Sequence, residues 1–232
     1  MTATFDPSTG ALHAPVEELW ALLEGGTLSP ALVCGTAASD RGPGPLHAVL
    51  EAVRHPASRL LIHRGGQTVS GWVDDETAAL LVPSGDGSAV LSSLPAAAVP
   101  GALATLLALG PRPRASGSAC VPAAALAVTL AAPPRAPAAL REAVGSDPPA
   151  ALAAALVAPG AHWSVESEWP EAMPPPRALG PRDPLRVARR LDVLDADGVG
   201  LWILEPDGGD VRLEPSGTSE AWRRLAALLP RA

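Results

Sequence analysis

The chain contains no lysine, asparagine or tyrosine, one phenylalanine (Phe5), one glutamine (Gln67) and two isoleucines, Ile62 and Ile203. Codons for these scarce residues are AT-rich, so the bias points to a high-GC genome and accounts for the alanine and proline excess without a functional reason. The 17 basic residues are all arginine, which leaves a phosphate-binding loop without the lysine it needs. Those arginines are dispersed among 24 acidic residues for a net charge of -7, so no basic patch is available for nucleic acid or an anionic membrane surface. Two cysteines, Cys34 and Cys120, are too few for a disulfide framework. The first residues, MTATFDPSTG, lack the basic start and apolar core of a signal peptide, and a cytoplasmic protein is expected. Ser88 to Pro111 carries no charge, but Pro95, Pro100 and its alanine and serine content suit a buried strand and helix better than a membrane span.

Arg186 to Leu229 parses most clearly. Val187, Leu191 and Val193 alternate with polar residues, as in a strand buried on one face, whereas Leu201 to Leu204 are continuously apolar, as in a strand buried on both. Asp195-Ala-Asp-Gly198 and Asp207-Gly-Gly-Asp210 supply residues for short hairpin turns. A final helix is expected, capped by Ser219, with Trp222, Leu225, Ala226, Leu228 and Leu229 on one side.

The same order occurs about half the chain earlier. Arg59 to Arg64, Val69 to Val73, Ala78 to Val82 and Ala89 to Leu94 read as strands, Gly65-Gly66 and Ser84 to Gly87 as turns, and Val99 to Leu109 as a closing helix. Laying Leu80-Leu81-Val82 on Trp202-Ile203-Leu204 brings Ala89, Val90 and Leu91 onto Val211, Arg212 and Leu213. With a shift of three residues Leu103, Leu106 and Leu109 fall on Trp222, Leu225 and Leu228. This suggests an internal duplication, with an N-terminal half over residues 1–115 and a C-terminal half over 116–232.

Elsewhere, Pro15 to Glu24 reads as a short helix with Val16, Leu19, Trp20 and Leu23 on one face. Leu28 to Gly44 is turn-rich, and Leu46, Val49, Leu50 and Val53 have the spacing of an amphipathic helix. Ala136 to Val144 and Pro149 to Ala158 read as alanine-rich helices. Trp163, Val165 and Trp169 alternate as in a strand, expected to join the second sheet, and Glu171 to Pro184 is a proline-rich loop.

No reactive constellation emerges. Aligning Asp195-Ala-Asp-Gly198 with a calcium loop puts Val193 at the first ligand position and Leu204 at the twelfth, where a glutamate is needed. His13, His47, His55, His63 and His162 have no zinc-like spacing with one another or with the cysteines, and no Gly-x-Ser-x-Gly elbow occurs. Cys120, in Ser118-Ala-Cys120, reads as a small buried residue rather than a nucleophile. Asp74-Asp75-Glu76 suits a cation or an acid-base pair, or a solvated hairpin edge; the edge is the commoner meaning. No catalytic, metal or cofactor residues are assigned, and a non-enzymatic protein is expected.

Six tryptophans, Trp20, Trp72, Trp163, Trp169, Trp202 and Trp222, dominate the aromatic content. Burying one removes roughly 150 to 250 Å² from water, at most about 4 to 6 kcal/mol each, so they anchor cores or an interface. Trp202 and Trp222 fall on core-facing positions, while Trp72, beside Gly71 and Asp74, suits either a core or a partner.

HPASRLLIHRGG (55–66), AALLVPSGDGSAVLSSLP (78–95), LLALGPRP (106–113) and the C-terminal LDVLDADGVGLWIL, VRLEP and AWRRLAALLP together resemble the ESX (type VII) secretion-associated EspG family. VEELWALL (16–23) is similar to that family's opening helix. The resemblance implies an α+β fold of two pseudo-symmetric halves, each an antiparallel sheet with packed helices, and a cytosolic chaperone or adaptor binding a helical secreted partner of the PE/PPE or WXG type. It further implies that the partner's apolar tip is held by a loop between strands of the first sheet, together with helices of the second half. That loop corresponds best to Gln67 through Glu76, with Trp72 and Val73 as apolar anchors, Gly71 permitting close approach and Asp74, Asp75 and Glu76 as a polar rim. The alternative is a regulatory or scaffolding domain that binds another protein, and a third reading is an enzyme using the acidic hairpin.

Overall fold

The computed structural model describes residues 3–6, 10–23, 45–131, 136–145, 147–158, 161–168 and 189–229. Cys34, Trp169 and the stretches Leu28 to Gly44 and Glu171 to Pro184 lie outside the described residues. The chain opens with β1 (Thr4–Asp6), β2 (Ala11–Pro15), α1 (Val16–Leu23) and α2 (Pro45–Arg54). A four-stranded meander follows, β3 (Ser58–Arg64), β4 (Gln67–Val73), β5 (Thr77–Pro83) and β6 (Ser88–Pro95), closed by α3 (Val99–Leu106). Next come β7 (Ala119–Pro122), α4 (Ala123–Ala131), α5 (Ala136–Val144) and α6 (Ala150–Val157). A second meander, β8 (His162–Glu168), β9 (Arg189–Ala196), β10 (Gly200–Asp207) and β11 (Asp210–Ser216), is closed by α7 (Thr218–Ala227). The order strand, helices, meander, helix therefore occurs twice along this α+β chain.

The meanders are not separate sheets. The eleven strands among the described residues form one antiparallel sheet in the order β1-β2-β6-β5-β4-β3-β8-β9-β10-β11-β7. Strand β8 is the join, with Val165 opposite Ile62 of β3 and Trp163 opposite Val193 of β9. The outer flanks match as well: β2 pairs with β6 and β7 with β11.

Because side chains alternate between faces, each strand feeds two cores. On the first face, Leu60, Ile62, Val69, Val73, Trp163, Val165, Val193 and Ile203 pack with Leu103 and Leu107 at α3 and Ala221, Leu225 and Leu228 at α7, so one core spans both meanders. The second face carries two cores. One joins Leu12, Trp72, Leu81 and Leu91 to Leu19 of α1 and Val49 of α2. The other joins Leu194, Trp202 and Leu213 to Leu126 of α4, Leu140 of α5 and Leu152 and Leu156 of α6. Between them, β3 and β8 present mainly polar residues by alternation, namely Arg59, Leu61, His63, His162, Ser164, Glu166 and Glu168, none of which belongs to either core.

Several expectations change. Trp222 is 39% exposed, because α7 turns Ala221, Leu225 and Leu228, spaced four and three residues apart, to the sheet and leaves Trp222 at the margin. Ser219 lies inside α7 rather than at its cap; Gly217 is the capping residue, and the Thr218 hydroxyl donates to the carbonyl of Gly110 at 2.8 Å. Asp195 is the buried end of β9 rather than part of the turn, which is Asp197 to Val199. Cys120 is exposed on the edge strand β7, on the opposite side from buried Val121. The helix after β6 stops at Leu106 because Ala108 turns left-handed (φ 49°): Leu109 N–H donates to Ala104 O and Ala108 N–H to Thr105 O, closing the helix as a Schellman motif. Among the described residues no helix is long and apolar enough to cross a membrane.

Candidate functional site

The polar strip on the second face leads to a cleft of about 290 Å³ where the β3–β4 hairpin meets the second-half helices. One wall is the hairpin end, His63 through Thr68. Gly65 and Gly66 have φ of 56° and 81°, the pair of left-handed residues that a tight two-residue hairpin turn demands. Leu130 of α4 and Leu156 and Ala158 at the end of α6 form the facing wall, and Ala161, His162 and Leu194 complete the lining. The alanine-rich α6 suits this place, since Leu152, Ala155 and Leu156 pack into the core while the small side chains around them let helix and sheet approach closely.

Polar groups of the strip are tied to one another. His63 Nδ1 lies 2.9 Å from the Thr68 hydroxyl. His162 Nε2 lies 3.3 Å from Asp192 Oδ1, and the Arg190 guanidinium bridges both Asp192 oxygens and Glu166. Burial pushes the Asp192 carboxyl up, but hydrogen bonds from His162 and Arg190 and the Arg190 charge outweigh it and hold Asp192 below the usual carboxylate range. Asp192, first through its hydrogen bond, also raises Arg190 above its ordinary value. The cleft thus has a polar hairpin wall, a facing wall that includes the half-buried Leu130, and an ion-paired margin, a mixed surface fitted to a small group with both apolar and polar atoms. Among the described residues no group of three or more His, Cys, Asp or Glu is placed to hold a metal ion.

The stretch Gln67 through Glu76 is not a loop. Gln67 begins β4 and lines the cleft, but Gly71, Trp72 and Val73 lie within the sheet, toward the strand's other end. The space a side chain at Gly71 would fill is taken by Leu80 and Leu60 of the flanking strands, at 2.9 and 3.2 Å from its ideal Cβ position. Trp72 is 7% exposed and sits in the core with α1 and α2, and Val73 lies in the core of the opposite face. Asp74 shapes the β4–β5 turn: its Oδ1 accepts the backbone N–H of Glu76 at 2.8 Å and of Thr77 at 2.5 Å. Asp75 and Glu76 are exposed there.

Leu130, Leu156 and Leu194 were not singled out by sequence reasoning, since leucines in apolar segments read as core. A usable signal was present: β3 and β8 carry mainly polar residues on one face despite their central position, the alternation of an antiparallel strand with only one face in the core.

No protein-family model matches the chain, and no curated protein matches it. Among solved structures, the type VII secretion system chaperone EspG5 of Mycobacterium tuberculosis, determined in complex with the PE25-PPE41 dimer, matches over 96% of this chain and 98% of its own, with a TM-score of 0.54 and 14% sequence identity. Shared over nearly the whole of both chains at so low an identity, the likeness is one of architecture, and this chain has the fold of an EspG-type secretion chaperone.

Proposed function

We propose that this protein is a cytosolic chaperone or adaptor for type VII (ESX) secretion that holds the apolar tip of a helical PE/PPE-type partner in the cleft between the β3–β4 hairpin and helices α4 and α6. The carrying observation is the cleft itself: a strand-connecting turn of the first meander, His63 to Thr68, faces Leu130 and Leu156 of the second-half helices. The likeness to EspG5, a type VII secretion system chaperone solved in complex with the PE25-PPE41 dimer, supports the same reading. A small aliphatic tip inserted there buries its apolar surface against Leu130, Leu156 and Leu194, while the Arg190–Glu166–Asp192 network offers polar contacts at the margin. Binding of this kind needs no chemical step, and the chain is proposed to act as a non-enzyme. Of the β4 residues expected from the sequence, Gln67 lines this cleft, which supports a part for it in the proposed contact.

Co-expression with a PE/PPE-type heterodimer encoded in the same genome, followed by size-exclusion chromatography, tests the proposal. A stable complex is expected, and Leu130→Asp, which puts a carboxylate on the half-buried aliphatic wall of the cleft, should abolish it while the chain stays folded. Failure of the wild-type chain to form any such complex, or full binding by a folded Leu130→Asp variant, would overturn the assignment.

A further inference from the structure

We propose that Arg64 is a positioning residue for the cleft: its guanidinium ties the end of the β3–β4 hairpin to the C-terminus of α3 on the opposite face of the sheet. This rests on the cleft being the partner site. The hairpin end separates two cavities, the cleft on the second face and an apolar space of about 250 Å³ on the first, lined by Ile62, Val69, Val82, Leu106 and Leu107; Arg64 and Gln67 border both. Side-chain packing therefore does not press the hairpin end onto α3, and Gly65 and Gly66 have nothing within 4 Å of where a Cβ would stand. Across this gap Arg64 Nη1 donates to the carbonyl of Leu106 at 2.8 Å.

That carbonyl is available for a physical reason. The Schellman closure of α3 uses the carbonyls of Ala104 and Thr105, and Leu107 N–H bonds to Leu103 O, which leaves Leu106 O, at the negative end of the helix dipole, for an outside donor. A guanidinium suits it by charge and by having several donors on one rigid plane. Loss of the tether leaves a two-glycine turn between two unfilled spaces, free to tilt, so the cleft has one wall of variable position. A preorganised wall costs less to order on binding than a mobile one.

The test is hydrogen–deuterium exchange of the backbone amides from Gly65 to Thr68, with Ile203 in β10 as internal reference, for the wild-type chain, Arg64→Met and Arg64→Lys, alongside affinity for the PE/PPE-type heterodimer. Arg64→Met keeps the stem and removes the donors; exchange about tenfold faster at the hairpin with Ile203 unchanged, and affinity about tenfold weaker, are expected. Arg64→Lys, which still donates to a carbonyl, should recover part of both. Unchanged hairpin exchange in Arg64→Met overturns the proposal even if affinity falls, because Arg64 would then act by touching the partner. Faster exchange with unchanged affinity overturns it as well. A wild-type chain that binds no such heterodimer fails the chaperone reading instead, and the exchange measurement alone still decides whether the tether holds the hairpin.

Discussion

Trp20 of α1 stands edge-on to Trp72 of β4, with ring centroids 6.0 Å apart and planes inclined at 70°. The contact joins Trp72, which sequence alone left between core and interface, to Trp20, read as part of an apolar helix face, and it divides their roles: Trp72 is 7% exposed and Trp20 39%. Trp72→Ala should cost roughly 3 to 5 kcal/mol of stability, the range for a large aromatic removed from a core. Trp20→Ala, which loses the edge-to-face contact and only part of its burial, should cost about 1 to 2 kcal/mol. Urea denaturation of both variants checks this, and a destabilisation by Trp72→Ala below that of Trp20→Ala would refute the core assignment.

A second prediction concerns the segment leading into β7. Arg112 meets Asp195 through two hydrogen bonds, Nε to Oδ1 at 2.5 Å and Nη2 to Oδ2 at 3.3 Å, with side-chain exposures of 11% and 3%. Arg112→Met strands a buried carboxylate and should destabilise by about 3 to 5 kcal/mol, whereas adding Asp195→Leu should recover much of the loss because the unpaired charge is gone. Denaturant titration of the single and double variants reads the difference.

Gly200 offers a steric test. Its φ of 145° is unfavourable for a side chain, and a Cβ there would lie 2.7 Å from Ala115 Cβ and 2.9 Å from Ala115 Cα. Gly200→Ala is expected to cost about 2 kcal/mol or more, while Gly209→Ala, with nothing within 4 Å of its ideal Cβ, should change stability little. Melting temperatures of the two variants, compared side by side, settle it.

The pH dependence follows from Asp192. Folding depresses its carboxyl against the push of burial, through His162 and Arg190. A depressed carboxyl contributes stability that is present above its unfolded value, about 4, and is lost as pH falls through the folded value. Wild-type stability should therefore decline below about pH 4 more steeply than that of Asp192→Asn, whose neutral amide does not titrate. Parallel curves for the two proteins in chemical denaturation across that range would contradict it.

The single sheet predicts how the chain divides. Fragments 1–115 and 116–232, each carrying one meander, should not fold separately, because the first-face core mixes Leu60 and Leu103 with Trp163 and Leu225, and β3 pairs directly with β8. Cooperative thermal unfolding of either fragment alone would count against this; circular dichroism of the fragments, separate and mixed, is the measurement.

Much of this architecture is written locally. Period-two alternation marks β8 and β9, the unbroken Leu201 to Leu204 run marks β10 as buried on both faces, and the Gly65-Gly66 pair marks a tight turn, because these signals depend only on backbone geometry and on which side of an element meets water. Strands β1, β2 and β7 could not be read this way, at three, five and four residues: β2 and β7 are strands through pairing with the distant β6 and β11, and β1 only through β2. Likewise α4, almost wholly apolar and without charge, offers no polar face to set its period.

Residue types and their spacing by themselves determined most strands and turns of the meanders, the helices that close them and the absence of catalytic and metal-binding motifs from the sequence, and the family resemblance implied the α+β class. Only the tertiary structure decided that the two meanders share one sheet, that Trp72 is covered while Trp222 is not, and that the cleft lies at the Gly65-Gly66 end of β4 instead of along Gly71 to Glu76. Those outcomes depend on which strand edges meet and which helices lie over which face, and such long-range pairings leave no mark on the local order of apolar and polar residues.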